Sequence, residues 1–148
     1  MRLLKDFCGE MLSHEGVHTM KIFLVDDSVV FRGWLRKVIS SVPGIELIGE
    51  ARDPLQAVQQ IRLLKPDTVI LDMRARRRFG IDILQGIQEI TPSPVTIVLT
   101  NKLYHLSSEH ARIKADFLVD KFTERSKIPD ILRRAVRQGK NMRLAATA

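Results

Sequence analysis

The chain has little cysteine, few aromatic rings and no long apolar run. Cys8 is alone among 148 residues, so no disulfide forms within the chain, and a reducing, cytoplasmic setting is expected. One tryptophan (Trp34), one tyrosine (Tyr104) and six phenylalanines are the whole aromatic complement. With so few rings to stack on bases and no helix-turn-helix signature, direct nucleic-acid binding is not expected. No apolar stretch approaches the roughly 20 residues of a membrane-spanning helix. Residues 1–20 hold neither an unbroken apolar core nor a small-residue cleavage site, so no secretory signal is read and no membrane partner is expected. There is also no DxD pair and no GxxxxGK phosphate loop, although metal-dependent hydrolase chemistry of another α/β type stays open.

What is present fits one globular domain: 45% of residues are hydrophobic and 28% charged. The net charge of +7 is uneven. Arg133, Arg134, Arg137, Lys140 and Arg143 load the C-terminal end, where they complement a helix dipole. A second run, Arg74, Arg76, Arg77 and Arg78, follows Asp72 directly. Expected boundaries are a mobile extension over residues 1–19, a domain over 20–140 and a tail over 141–148.

Short apolar runs alternate with helix-like periodicity. Lys21–Val25 reads as a first strand, and Ser28 suits the N-cap of a helix with Val30, Phe31, Leu35, Val38 and Ile39 at helical spacing. Ile45–Ala51 reads as a second strand, and Asp53–Pro54 starts a helix ended by Pro66. Thr68–Asp72 is the third strand, followed beyond the arginines by a helix over Ile81–Ile90. Val95–Thr100 is the fourth strand, Ser107–Lys114 a short helix and Phe117–Val119 a short fifth strand. A last helix starts near Lys127 and frays into Leu144–Ala148. Strands apolar on both faces and separated by helices predict an α/β fold, a doubly wound five-stranded parallel sheet.

In such a sheet, ligands collect beyond the carboxyl ends of the strands. Asp26, Asp27, Asp72, Thr100 and Lys121 all fall there. Two like charges about 4 Å apart cost roughly 4 kcal/mol at an effective dielectric near 20, so converging carboxylates need a cation or a proton. With no histidine or cysteine ligand pattern, a hard ion such as Mg2+ suits them. Such an ion, the Lys121 ammonium and the Thr100 hydroxyl could together hold a phosphoryl group, with one aspartate as the nucleophile. Taken singly, each residue has an ordinary role: a helix-capping aspartate pair, a loop carboxylate, a β-branched strand residue, a solvated lysine.

The blocks FLVDDS, VILDM, IVLT and FLVDK, in this order and spacing, resemble the receiver domain of bacterial two-component response regulators over about residues 21–138. The resemblance implies a flavodoxin-like (βα)5 fold and a phosphoryl group accepted on Asp72 from the phosphohistidine of a sensor histidine kinase or a phosphotransfer protein. It implies that Asp27 ligates Mg2+, with Asp26 assisting, Asp72 sharing the ion and Arg74 contributing its backbone carbonyl. Thr100 and Lys121 would contact phosphoryl oxygens and relay the change to a face formed by the Ser107–Lys114 helix, the last strand and the last helix. That face is also where a homodimer is left open.

Some positions depart from the family pattern. Ala75 and Arg76 replace a methionine–proline pair, which should loosen the loop, while Gly80 keeps a glycine suited to an unusual backbone angle. Phe122 replaces a proline after the lysine, and a trans bond is expected there because a cis non-proline bond costs about 3 kcal/mol. Asn101 is bulkier than the usual alanine or glycine and is expected to restrict water or small donors. Leu118 stands where a switch aromatic is usual, and strand alternation puts Phe117 on the other sheet face. The leading expectation is a phosphorylatable regulator; the alternative is a receiver-like binding module that works without phosphorylation.

Overall fold

The computed structural model describes residues 18–73, 77–101 and 115–147. Five parallel strands form one sheet: β1 (Met20–Val25), β2 (Ile45–Ala51), β3 (Thr68–Asp72), β4 (Val95–Thr100) and β5 (Phe117–Asp120), in the spatial order β2-β1-β3-β4-β5. The helices described are α1 (Val29–Ser41), α2 (Pro54–Leu64), α3 (Arg77–Gln88) and α4 (Ile128–Thr147), the last preceded by a 3-10 turn at Arg125–Lys127. This is the expected doubly wound α/β architecture. The expected helix over Ser107–Lys114 and Tyr104 lie outside the described residues.

Period-two alternation sends neighbouring side chains of each strand to opposite faces. Ile22, Leu24, Ile70, Ile97, Leu99 and Val119 pack on one face against Leu35 and Ile39 of α1 and Leu132 and Ala135 of α4. Phe23, Val25, Val69, Leu71 and Val98 pack on the other against Ala57 and Ile61 of α2 and Ile83, Leu84 and Ile87 of α3. Phe117 joins the first face and Leu118 the second, as alternation requires.

Local signals explain several element ends. The Ser28 hydroxyl accepts from the Phe31 N–H at 3.3 Å, and Asp53 accepts from the Leu55 N–H at 2.9 Å, so both caps act as read. Gly44, at φ +81°, makes the turn from α1 into β2, a conformation that favours glycine. Some helix boundaries differ from expectation. The third helix begins at Arg77, not Ile81, and ends at Gln88, not Ile90. Arginine is a good helix former, but apolar spacing marks a helix only from its first buried residue. Gly80 therefore lies inside a helix, where no unusual backbone angle is called for. The last helix is continuous to Thr147, through residues expected to fray.

The register between β1 and β2 shifts between Ile22 and Phe23, and Gly49 faces Phe23 beyond the shift. A Cβ at Gly49 would stand 2.7 Å from the Phe23 ring, inside van der Waals contact. The ring is fully buried, so it can retreat only by displacing packed neighbours. Gly49→Ala should therefore lower stability by about 1–3 kcal/mol, the usual range for overpacking. Urea unfolding of the two proteins checks this; equal midpoints would show that Phe23 can move.

Candidate functional site

The strand order reverses direction between β1 and β3, and a crevice opens at their carboxyl ends. The ladder continues one residue past three strands. The Asp26 N–H donates to Ala51 O (3.2 Å), Met73 N–H to Leu99 O (2.9 Å) and Lys121 N–H to Thr100 O (2.8 Å). These bonds fix the backbone on which the polar side chains are mounted.

Three of the expected residues meet there. Asp26, Asp27 and Asp72 each place one carboxylate oxygen so that all three lie within 4.8 Å of one another. Asp26 and Asp72 are buried and Asp27 is exposed. Lys121 reaches them from the far end of the chain. Its Nζ donates to Asp72 Oδ2 at 2.6 Å and to Asp26 Oδ2 at 3.1 Å, with all three side chains almost wholly out of water. A buried ammonium bridging two buried carboxylates stands where a cation belongs. The donor set is all oxygen and one member is open to solvent, which suits a hard ion that keeps part of its water.

Thr100 ends β4 on the same edge, half-buried and in register with Asp120 of β5. Asn101 is half-buried, and its Oδ1 is buried with no hydrogen-bond partner among the described residues. Arg74, Ala75 and Arg76 lie outside the described residues. The Lys121–Phe122 peptide is trans, as expected from the cost of the alternative.

Two supports were not legible as site residues. The first is Asp120. Its Oδ1 accepts from the N–H groups of Phe122 (2.8 Å) and Thr123 (3.0 Å), which closes the turn that carries Lys121. The second is Arg32, 5% exposed on α1. Its Nη1 donates to the Asp26 backbone oxygen at 3.2 Å, and its Nε lies 3.9 Å from Glu50. An arginine in an amphipathic helix ordinarily reads as solvated, so only tertiary packing reveals it. Glu50 in turn takes both oxygens to the Arg36 fork. That hydrogen bond holds the Glu50 carboxyl below the usual glutamate range, against a smaller upward push from burial.

Fold and site together define a doubly wound α/β domain with an acidic, lysine-bridged crevice at its switch point. The model of the response regulator receiver domain matches residues 22–133, and the chain belongs to that family. It is 42% identical over 81 residues to a protein-glutamate methylesterase/protein-glutamine glutaminase 2 of Vibrio vulnificus, covering 55% of this chain and 24% of that protein. A protein of the same name numbered 1, from Xanthomonas campestris, is 38% identical over 79 residues, 53% of this chain and 22% of its own length. The match thus spans about a quarter of the length of these curated relatives. Among solved structures, the response regulator domain of Thermotoga maritima CheB superposes with a TM-score of 0.68 at 28% identity, covering 83% of this chain and 97% of that one. The signal receiver domain of a Luxo repressor protein from Vibrio parahaemolyticus shares the fold, at TM-score 0.71, 18% identity and coverage of 86% and 97%. Among the described residues no helix is long and apolar enough to cross a membrane.

Two predictions follow from the geometry. Lys121→Met leaves two buried carboxylates without their counter-charge, and should cost about 3–5 kcal/mol in a chelator. Millimolar Mg2+ should recover part of it, and an unchanged urea midpoint in chelator would refute the neutralising role. The second concerns Glu50. A carboxyl lowered in the folded state stabilises above its unfolded pKa, and that stabilisation is lost as pH falls through the lowered folded value. Glu50→Gln should therefore reduce stability at neutral pH and flatten the acid limb below about pH 4, as measured by thermal unfolding across pH.

Proposed function

We propose that the chain is a phosphoryl-accepting regulator of two-component signalling, loaded on Asp72 by a phosphohistidine of a sensor histidine kinase or phosphotransfer protein. The observation that carries this is the Lys121 bridge between Asp26 and Asp72 inside a cluster of three carboxylates. Such a site is prepared for charge it does not yet hold.

In the transfer, a carboxylate oxygen of Asp72 attacks phosphorus while the bond from phosphorus to the donor's imidazole nitrogen breaks. The electron pair of that bond leaves on the imidazole, and Asp72 becomes an acyl phosphate. The carboxylates of Asp26, Asp27 and Asp72, with the backbone carbonyl of Arg74, would hold Mg2+, which when bound supplies positive charge to phosphoryl oxygens. Lys121 exchanges its Asp72 contact for a phosphoryl oxygen, and the Thr100 hydroxyl donates to another. The turn closed by Asp120 keeps the lysine in range. Arg32 keeps the Asp26 backbone fixed while the charge around it changes. The arginines after Asp72 would draw phosphate-bearing donors by electrostatics.

Once Asp72 is esterified it no longer attracts Lys121 as a carboxylate does, and this change of balance is what a partner would read. The ester and amide chemistry named for the relatives is said of those proteins; here the likeness supports a shared receiver unit. Intact-mass measurement with an acyl phosphate and Mg2+, and with a phosphohistidine donor, tests the proposal. Wild type should gain one phosphoryl group and Asp72→Asn none, with chelator blocking the gain. No gain with either donor would overturn it and favour a binding module that works without phosphorylation.

A further inference from the structure

The Lys121 ammonium has a third neighbour besides its two carboxylates. It lies 4.0 Å from the centroid of the Phe31 ring on α1. The Phe31 ring is 5.4 Å from that of Trp34, tilted by 38°. The Arg125 guanidinium closes the series, 4.0 Å from the Trp34 ring and 5.8 Å from that of Phe31. Two rings therefore stand in series between two cations, from the buried crevice to the exterior. The cleft they line, of about 180 Å³, opens beside Ser28 and the exposed Val30 and Phe122.

We infer that Phe31 is a positioning residue for Lys121, and that the stack through Trp34 to Arg125 carries the occupancy of the acidic crevice to the outer surface of α1. The inference rests on the function proposed above and adds residues to it. A carboxylate loses its hold on an ammonium when it is esterified or turned toward a metal ion. The quadrupole of a phenyl ring does neither, and its attraction for a cation is strongest where water is excluded. Lys121 is 3% exposed. Phe31 is thus a contact of Lys121 that stays unchanged when Asp72 is phosphorylated or the carboxylates turn toward a metal ion, and it limits how far the ammonium travels.

Any shift of the ammonium alters the face of Phe31, and Trp34 is in ring contact with Phe31. On the opposite sheet face β5 presents Leu118, which has no ring. Among the described residues the aromatic route outward from Lys121 runs through α1. Packing alone would also account for two aromatic side chains three residues apart on a helix. The two roles separate because packing depends on volume, whereas a cation–ring contact depends on the electron density of the ring.

The test uses the full chain, whose only tryptophan is Trp34. Its emission is followed with Mg2+ alone and then with Mg2+ and an acyl phosphate, and Asp72 loading is measured by mass in the same samples. Wild type, Phe31→Tyr, Phe31→Leu and a series with progressively fluorinated phenylalanine at position 31 are compared, each checked for folding by urea unfolding. Emission should change with Mg2+ and again on loading in wild type and Phe31→Tyr. In Phe31→Leu the response should vanish and loading should slow about fivefold. Loading should also fall stepwise with fluorination, which leaves ring size nearly constant.

A flat fluorination series, a wild-type loading rate in Phe31→Leu, or silent emission during loading overturns the inference while leaving the phosphoryl acceptor standing. If Phe31→Leu does not fold, the fluorinated series decides. If wild type takes no phosphoryl group from any donor, the functional proposal falls. The Mg2+ response of Trp34 then decides the stack alone: its loss on fluorination supports the coupling, and its absence in wild type overturns it.

Discussion

One buried ammonium holds the working edge of this domain together. Lys121 joins residues 95 and 49 positions away in sequence, at the carboxyl ends of β1 and β3, and it does so with almost no water to share the charge. A buried ion pair is weak evidence for net stability, because removing two charges from water offsets most of their attraction. Its importance here is positional. Asp26 and Asp72 can stay close in the low-dielectric crevice because a cation lies between them. The ladder bonds that pin Asp26, Met73 and Lys121 all serve the same spacing.

Around that contact the structure is arranged in dependent layers. Asp120 closes the turn that aims Lys121. Arg32 fastens the Asp26 backbone from the α1 side and approaches Glu50, which Arg36 grips from outside. Phe31 lies on the remaining side of the ammonium. The polar crevice is therefore bounded by α1 as much as by the sheet. That gives the first helix more influence on the site than its distance along the chain from Asp72 suggests.

The sequence made the strands legible because each is a compact apolar run closed by a turn residue, and all five fall within about a residue of their expected positions. Ser28 and Asp53 announced their caps by side-chain chemistry that acts over two or three residues. Asp26, Asp27, Asp72 and Lys121 were legible as a set since strand ends of a parallel sheet converge on one edge. The start of α3 was not, because arginines write no apolar periodicity. Arg32 and Asp120 were not either: a buried guanidinium and a turn-closing carboxylate look in sequence like solvated ones. Phe31 was counted into the helical stripe of α1, which it does join, but its contact with Lys121 exists only once residues 90 positions apart are folded together.

The strand order has a consequence for synthesis of the chain. Strand β1 leaves the ribosome first and the edge strand β5 last, with the central strand β3 and then β4 between them. At ordinary elongation rates of about 5–20 residues per second, the stretch from Asp72 to Lys121 takes several seconds to appear. During that interval a nascent sheet would already bring Asp26 and Asp72 to one edge without their ammonium. The mutual repulsion of these aspartates then opposes premature closure, and the final strand, arriving with its lysine, removes that opposition. A receiver site built on charge balance thus favours the domain closing as a whole, after its last strand has been made.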